Sequence, residues 1–200
     1  ISWAPDSRRL AILDKVFYVS TELIVVDVEV SGSSLPLIST LDFPRVYAPR
    51  WSPKNDYIAY IWDEGGQTGE LQLQIINLDG ARDLLSAGIS VSGGPPVWSP
   101  DGRLLAFTGT VAHEAALFQT DLWLAELAST DATLKRLTYG ESNSGSEAGA
   151  NDVMPMWSPD GTQVVFYKDN LVCVLSLVDG SKRTLFVSPN QYDIGLILAY

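Results

Sequence analysis

The chain has 200 residues, of which 46% are hydrophobic and 18% are charged, the balance of a globular protein with a buried core. Its formal net charge of −11 argues against nucleic acid as a partner, because phosphate binding needs clustered Lys and Arg. Cys173 is the only cysteine, which excludes an internal disulfide, and no apolar run approaches the ~20 residues that a membrane span needs.

Four segments of the sequence align with one another without gaps. Each segment has a tryptophan, then a turn sequence, then an apolar triplet at the same distance. The tryptophans are Trp3, Trp51, Trp98 and Trp157, and the triplets are 10–12, 58–60, 105–107 and 164–166. The spacings between the tryptophans are 48, 47 and 59 residues. Repeats of about 40–50 residues with several short strands indicate a β-propeller, in which each repeat forms one blade.

Each repeat contains four predicted strands. A Pro-Asp-Gly turn or a variant of it joins the apolar stretch before it to the triplet after it, because Pro fixes φ and Gly or Asn tolerates positive φ. These turns are at 5–7, 53–55, 100–102 and 159–161, and third strands are predicted at 23–28, 71–78, 122–127 and 171–178. Second turns at 31–34, 79–80, 129–132 and 179–180 lead to short fourth strands such as 135–138 and 182–185. No helical periodicity competes with this pattern.

The repeat resembles that of the TolB-like, WD-like β-propeller family, in which a Trp-Ser-Pro-Asp-Gly turn precedes an apolar strand. The third repeat is the most similar, with the motif at 98–102, Asp-Leu-Trp at 121–123 and Arg-Leu-Thr at 136–138, whereas the first two repeats depart from it at the turn. The resemblance implies an interaction platform, often periplasmic or extracellular, which in some members lies beside a catalytic domain. It assigns a fold and leaves the function open.

We therefore predict an all-β protein with four four-stranded blades. Their approximate bounds are 1–46, 47–94, 95–153 and 154–200. Because the chain starts within a repeat at Ile1, we expect a piece of a larger, six- to eight-bladed propeller. A short domain that pairs with another and a closed four-bladed ring are the alternatives. The apolar segment 192–200 is expected to form one more strand.

The repeated residues are expected to be structural. Tryptophans that recur at one register are typical of core packing. The turn positions Asp101, Gly102, Asp160 and Gly161 are interpreted in the same way.

Antiparallel order places the loops between second and third strands, and the links between blades, at one end of the sheets. Sorting charges by this rule gives that end twelve acidic and four basic residues, a net charge of −8. The opposite end, which includes Arg136, is nearly neutral. Scaffolded loops commonly carry binding residues, although an acidic surface also serves solubility.

The candidate partner-binding residues lie at this acidic end. They are Trp62, Asp63, Glu64, His113, Glu114, Glu141, Glu147 and Asp152. Packing between blades is the competing explanation for Trp62. His113 is the only histidine and has no nucleophile motif nearby, so we predict no catalytic residue, metal site or cofactor.

The leading functional hypothesis is a non-catalytic propeller that binds a protein or peptide, possibly basic, through the acidic end. The alternative is an accessory or gating propeller of a larger prolyl-oligopeptidase-like hydrolase. A sugar or small-ligand sensor head is a weaker alternative. The rest of its own propeller or an adjacent domain is also an expected partner.

Overall fold

Four antiparallel sheets follow one another along the chain, each with the strand order first-second-third-fourth. The computed structural model describes residues 1–16, 20–41, 45–54, 57–65, 70–85, 88–111, 120–127, 132–139, 152–168 and 171–187. Within these ranges there are 16 strands and no helix, so no helix could span a membrane there. The predicted all-β fold with four four-stranded sheets is confirmed.

The sheets are the four blades. Blade 1 comprises β1 (Ser2–Trp3), β2 (Arg9–Val16), β3 (Ser20–Asp27) and β4 (Leu35–Leu41), and blade 2 comprises β5 (Arg45–Trp51), β6 (Ile58–Asp63), β7 (Leu71–Ile76) and β8 (Arg82–Leu84). Blade 3 comprises β9 (Ile89–Trp98), β10 (Leu104–Val111), β11 (Asp121–Leu127) and β12 (Ala132–Arg136). Blade 4 comprises β13 (Asp152–Trp157), β14 (Gln163–Lys168), β15 (Leu171–Ser176) and β16 (Lys182–Val187).

Each tryptophan ends the first strand of its blade. The first strands contact one another in sequence, β1 with β5, β5 with β9 and β9 with β13, so they form the inner edge of the array. The first strands of blades 2, 3 and 4 begin before the blade boundaries that were predicted from the sequence. For example, β9 starts at Ile89, whereas the boundary was placed at 94/95. The reason is a bulge in the inner strand.

A bulge recurs before the tryptophan in blades 2, 3 and 4, at residues 48–49, 93–96 and 154–155. The β-ladder shifts register between Tyr47 and Arg50, and at the equivalent places in β9 and β13. An X-Pro pair lies in each bulge, Ala48-Pro49, Pro95-Pro96 and Met154-Pro155. Proline cannot donate a hydrogen bond to the ladder and is tolerated at a bulge. The X-Pro-X-Trp pattern is a repeat signal that the sequence analysis missed.

The hydrophobic cores lie between neighbouring blades. Ile58 and Tyr60 of blade 2 pack against Ala11 and Leu23 of blade 1, and all four side chains are buried. A second cluster joins blades 2 and 3, and a third joins blade 4 to Leu122 of blade 3. In blades 2 and 3, alternate residues of a strand thus pack one face against the preceding blade and the other against the following blade.

The indole N–H of the repeated tryptophan crosses between blades. Trp98 donates to the carbonyl of Arg50 at 2.9 Å, and Trp157 donates to the carbonyl of Val97 at 3.0 Å. Both acceptors immediately precede the tryptophan of the previous blade. The hydrogen bond between blades 1 and 2 is different. There the backbone N–H of Trp51 donates to Ser2 Oγ at 2.9 Å.

The prediction that all four tryptophans pack in a core is wrong for Trp3. Trp51 is buried and Trp98 and Trp157 are partly buried, but Trp3 is 57% exposed. No described residue covers blade 1 on the side where each later tryptophan meets a preceding blade.

Trp3 and Trp98 therefore form a matched pair for mutation. We expect Trp98→Ala to lower the free energy of unfolding by ~3 kcal/mol or more, because it leaves a cavity and an unpaired carbonyl. Trp3→Ala should change it by about 0.5 kcal/mol or less, as at other exposed positions. Urea unfolding of dilute protein, followed by circular dichroism, measures both. Equal losses would contradict the packing role of the inter-blade tryptophan.

Candidate binding face

The two ends of the sheets differ in their connections. We call the end with the Pro-Asp-Gly-type turns, at 5–8, 53–54, 100–103 and 159–162, the turn face. The opposite end, where second strands lead to third strands and blades are linked, is the loop face. The strand ladders place Asp14, Asp63 and Lys168 at the loop face, as antiparallel order predicts.

The carboxylates of the turn face are held by their own turns. In blade 3, Asp101 Oδ1 accepts from Ser99 Oγ at 2.6 Å and from the N–H of Arg103 at 3.1 Å. In blade 4, Asp160 accepts from Ser158 Oγ at 2.5 Å and from the N–H of Thr162 at 3.0 Å. These bonds, led by the serine hydroxyl, lower the pKa of both carboxyls.

Glycine at the end of this turn is required by the backbone. Gly102 has a φ of +69° and Gly161 has a φ of +72°, values that residues with a side chain rarely adopt. A Cβ on Gly102 would also come within 3.1 Å of Ser52 Oγ in the turn of blade 2. Asp101, Gly102, Asp160 and Gly161 thus all take part in the turns of blades 3 and 4.

Further turn-face acids are bound to arginine. Asp27 Oδ2 lies 2.7 Å from Arg8 Nε, and Glu29 lies 3.6 Å from the same atom. Asp6 Oδ2 lies 2.7 Å from Arg9 Nε. Asp27 and Glu29 were left out of the sequence sorting, so the turn face carries more acid than that sorting gave.

The loop face presents carboxylates of a different kind. Asp14, Glu64 and Glu70 are exposed, and the described residues give them no hydrogen bond or ion pair. Asp14 lies directly opposite Glu22 in the β2–β3 ladder, and two like charges in such a pair repel. Asp63 is partly buried and accepts from the N–H of Gly65 at 2.9 Å.

Solved structures share this arrangement of sheets. The chain matches the TolB protein from Agrobacterium tumefaciens with a TM-score of 0.63 and 22% identity over 92% of this chain. It matches a puromycin-hydrolyzing peptidase from Mycobacterium tuberculosis with a TM-score of 0.64 and 16% identity over 90% of this chain. It matches dipeptidyl peptidase 4 from Porphyromonas gingivalis with a TM-score of 0.66 and 11% identity over 92% of this chain. The chain has a TolB-like propeller fold.

Other comparisons limit this result to the fold. No protein-family model matches the sequence, and no curated protein matches it. The chain spans 62% of the length of the TolB structure, 29% of the puromycin-hydrolyzing peptidase and 25% of the dipeptidyl peptidase. The TolB-like propeller therefore corresponds to part of each protein.

Three of the candidate binding residues lie side by side at one strand end. Trp62, Asp63 and Glu64 are consecutive at the end of β6 on the loop face. Trp62 is partly buried against the core between blades 1 and 2 and lies edge-on to Tyr60, with ring centroids 6.4 Å apart. These contacts favour packing for Trp62, whereas Glu64 is exposed.

The other candidates lie outside the described residues, wholly or by their side chains. His113, Glu114, Glu141 and Glu147 are outside them. The backbone of Asp152 is described and lies opposite Lys168 in the β13–β14 ladder. Among the described residues of this TolB-like propeller, no group of three or more His, Cys, Asp or Glu could hold a metal ion.

Three charges of the sequence sorting need correction, those of Arg136, Asp121 and Lys168. Arg136 is not on the turn face, because β12 runs back towards the loop face and its guanidinium forms an ion pair with buried Asp121. That guanidinium also lies 5.6 Å from the centroid of the Trp123 ring. Lys168 is only 1% exposed and contributes no surface charge. Only the side-chain packing between blades decides these burials.

A cleft of about 340 Å³ lies between the outer parts of blades 3 and 4. Lys135 and Arg136 line it on one side, and the turn 177–180 lines it on the other. Asp179 in that turn accepts from the N–H of Ser181 at 3.0 Å and from its hydroxyl at 2.8 Å. One wall of the cleft is therefore basic, whereas the loop face is acidic.

The lowered pKa values of the turn carboxylates predict how the stability of this TolB-like propeller depends on pH. A hydrogen bond from the backbone N–H of Arg8 lowers the pKa of Asp6 from 3.8 to about 2. A hydrogen bond from the Ser176 hydroxyl lowers the pKa of Asp179 from 3.8 to about 2. The folded chain thus binds fewer protons than the unfolded chain between about pH 4 and 2. This stabilisation is complete above about pH 4 and is lost as the pH falls towards 2.

Asp101→Asn combined with Asp160→Asn should remove the contribution of those two turns. We expect the double variant to be less stable than the original protein at pH 6 and nearly equal to it at pH 2. Urea midpoints across this range measure the difference, with Asp14→Asn as a control that lacks turn hydrogen bonds. A constant difference at all pH values would mean that the charge of these carboxyls plays no part.

Proposed function

We propose that this propeller is a non-catalytic module that binds a basic protein or peptide segment through its loop face. The observation that supports it most is the difference in how carboxylates are engaged at the two ends. Turn-face acids such as Asp101 and Asp160 hold their own turns, and Asp6 and Asp27 are paired with arginine.

Carboxylates that stabilise the fold are poor candidates for binding, because a partner would have to replace their internal bonds. Asp14, Glu64 and Glu70 have no such bonds among the described residues and are exposed to solvent. Binding at this end therefore gains electrostatic energy without loss of fold stability.

The position of these groups also suits recognition. They lie at strand ends of two neighbouring blades whose shared core is buried, so the sheets hold them at a fixed separation. Loops and strand ends on a rigid scaffold are common binding positions. Surface charges of one sign mainly speed the encounter with a partner of opposite sign, and salt weakens the effect.

A peptide selection tests the proposal directly. A library of random 12-residue peptides displayed on phage is selected on the immobilised protein, and we expect Lys and Arg to be enriched. Binding of a selected peptide should weaken between about 50 and 300 mM NaCl, because salt screens exposed charges. The variant Glu64→Lys/Glu70→Lys should slow association roughly tenfold with little change in melting temperature.

The matched control reverses two exposed charges of the turn face, Lys54→Glu and Lys182→Glu. It should leave association nearly unchanged. A further variant, Glu141→Lys/Glu147→Lys/Asp152→Lys, tests three more of the acidic candidates. Selected peptides without basic enrichment, or a larger loss in the turn-face control, would overturn binding at the acidic loop face.

A second candidate is an accessory propeller of a larger hydrolase. The favouring observation is the structural similarity to two peptidases, of which this chain covers 25% and 29%. Sequencing the transcript that encodes the chain tests it. A Gly-X-Ser-X-Gly segment in the same reading frame, outside these 200 residues, would support the candidate. A reading frame without any such segment would contradict it.

A further inference from the structure

One aromatic side chain is exposed on the acidic loop face. Beyond β12, the N–H of Leu137 donates to the carbonyl of Leu122 at 2.8 Å, and the N–H of Leu122 donates to Thr138 Oγ1 at 2.8 Å. The chain therefore continues alongside the start of β11 and brings Tyr139 to the loop face. Tyr139 is 66% exposed, more than any other aromatic residue in the part of the chain that the structure describes.

The ring of Tyr139 lies against a fixed cation. The guanidinium carbon of Arg136 is 5.0 Å from the centroid of the Tyr139 ring and 5.6 Å from the centroid of the Trp123 ring. Arg136 also forms an ion pair with Asp121, which is 1% exposed. Cations attract aromatic faces at such distances, so Arg136 connects the exposed ring to buried groups.

Trp123 anchors this arrangement in the contact between blades 2 and 3. Its indole N–H donates to the carbonyl of Gly109 at 3.2 Å, and its ring belongs to the apolar cluster that joins the two blades. Tyr139 therefore has a rigid support. A partner that packs against its ring immobilises few free side chains, which lowers the entropic cost of binding.

Exposed carboxylates lie at the same end of the contact between blades 2 and 3. Leu71, the first residue of β7, packs against the cluster that contains Trp123, and Glu70 immediately precedes it. Glu64 follows β6 of the same blade, and both glutamates are exposed. Aromatic side chains within a polar surround often contribute much of the binding energy of an interface.

The charge of Arg136 limits what the Tyr139 ring can accept. The guanidinium would repel a second cation at the ring, so the Lys and Arg of a basic segment are attracted to the carboxylates instead. The exposed ring suits an aromatic or large aliphatic side chain, which packs against it without adding charge. The loop face thus offers contacts to two kinds of residue.

We propose that Tyr139 is the apolar contact of the loop face, and that the bound segment carries an aromatic or large aliphatic residue within a few positions of its Lys or Arg. This inference rests on the proposed function, since it names a further feature of the segment that the loop face binds. The carboxylates attract basic segments, and Tyr139 selects among them for those with an apolar residue.

Parallel peptide selections test the inference. The phage library of random 12-residue peptides is selected on the wild-type protein, on Tyr139→Ala and on Trp3→Ala. The last variant is the matched control, because it removes an exposed aromatic ring at the turn face. We expect Lys and Arg to be enriched in all three pools. Aromatic residues and Leu near them should be enriched only in the wild-type and Trp3→Ala pools.

A double-mutant cycle measures the contact itself. One selected peptide, and its variant with the aromatic residue changed to Ser, are titrated against the wild-type protein and Tyr139→Ala. The change to Ser should weaken binding to the wild-type protein roughly 3- to 10-fold, as expected for one aromatic pair, and should have little effect on binding to Tyr139→Ala. Tyr139→Phe keeps the ring and should bind both peptides as the wild-type protein does.

The outcomes distinguish this inference from the proposed function. Basic enrichment without apolar residues, or a change to Ser that weakens binding to both proteins equally, would overturn the role of Tyr139 and leave binding at the loop face in place. A wild-type pool without basic enrichment would overturn both. The melting temperature of Tyr139→Ala should stay within about 2 °C of the wild-type value, because the residue is exposed. A much larger fall would indicate that Tyr139 supports the fold instead.

Discussion

Face-to-face packing of consecutive sheets is the interaction on which the rest of this structure depends. A four-stranded sheet has two apolar faces and cannot bury either alone, so a blade depends on its neighbours for stability. The repeated tryptophan adds direction to this contact. In blades 3 and 4 its indole N–H, from Trp98 and Trp157, donates to the inner strand of the preceding blade. The Pro-containing bulge just before it bends the inner strand at the same place in blades 2, 3 and 4.

This constraint also explains how polar groups are distributed. Many residues within the strands serve packing, so most charges lie near strand ends and in turns. At the turn face the Ser-Pro-Asp-Gly sequence uses its carboxylate to satisfy backbone N–H groups, and the absence of a side chain at Gly102 lets the turn approach the turn of the preceding blade. The loop face has no such internal demand on Glu64 or Glu70. Its carboxylates remain available for a partner.

Blade 1 shows how burial in this fold depends on the neighbouring blade. Trp3 holds the same register as Trp98 and Trp157 but is 57% exposed, and no described residue packs on that side of its sheet. Ile58 and Tyr60 of blade 2 are at the positions of Leu10 and Ile12 and are at most 1% exposed, because blade 1 packs against them.

The sequence by itself determined the all-β fold, the four blades and the antiparallel strand order. Turn chemistry and alternating apolar residues are local signals, and their fourfold recurrence makes them unambiguous. It also located the turns at Asp101 and Asp160 and placed Trp62, Asp63 and Glu64 at one end of the sheets.

Only the tertiary structure decided which of these residues are buried or paired. Trp3 and Trp98 share a motif, yet burial depends on whether a blade precedes them. Lys168 and Asp121 read as surface charges, but their positions between blades bury them, and Asp121 finds Arg136 through the β11–β12 ladder. A side chain's burial depends on contacts between strands distant in sequence, which no local pattern contains.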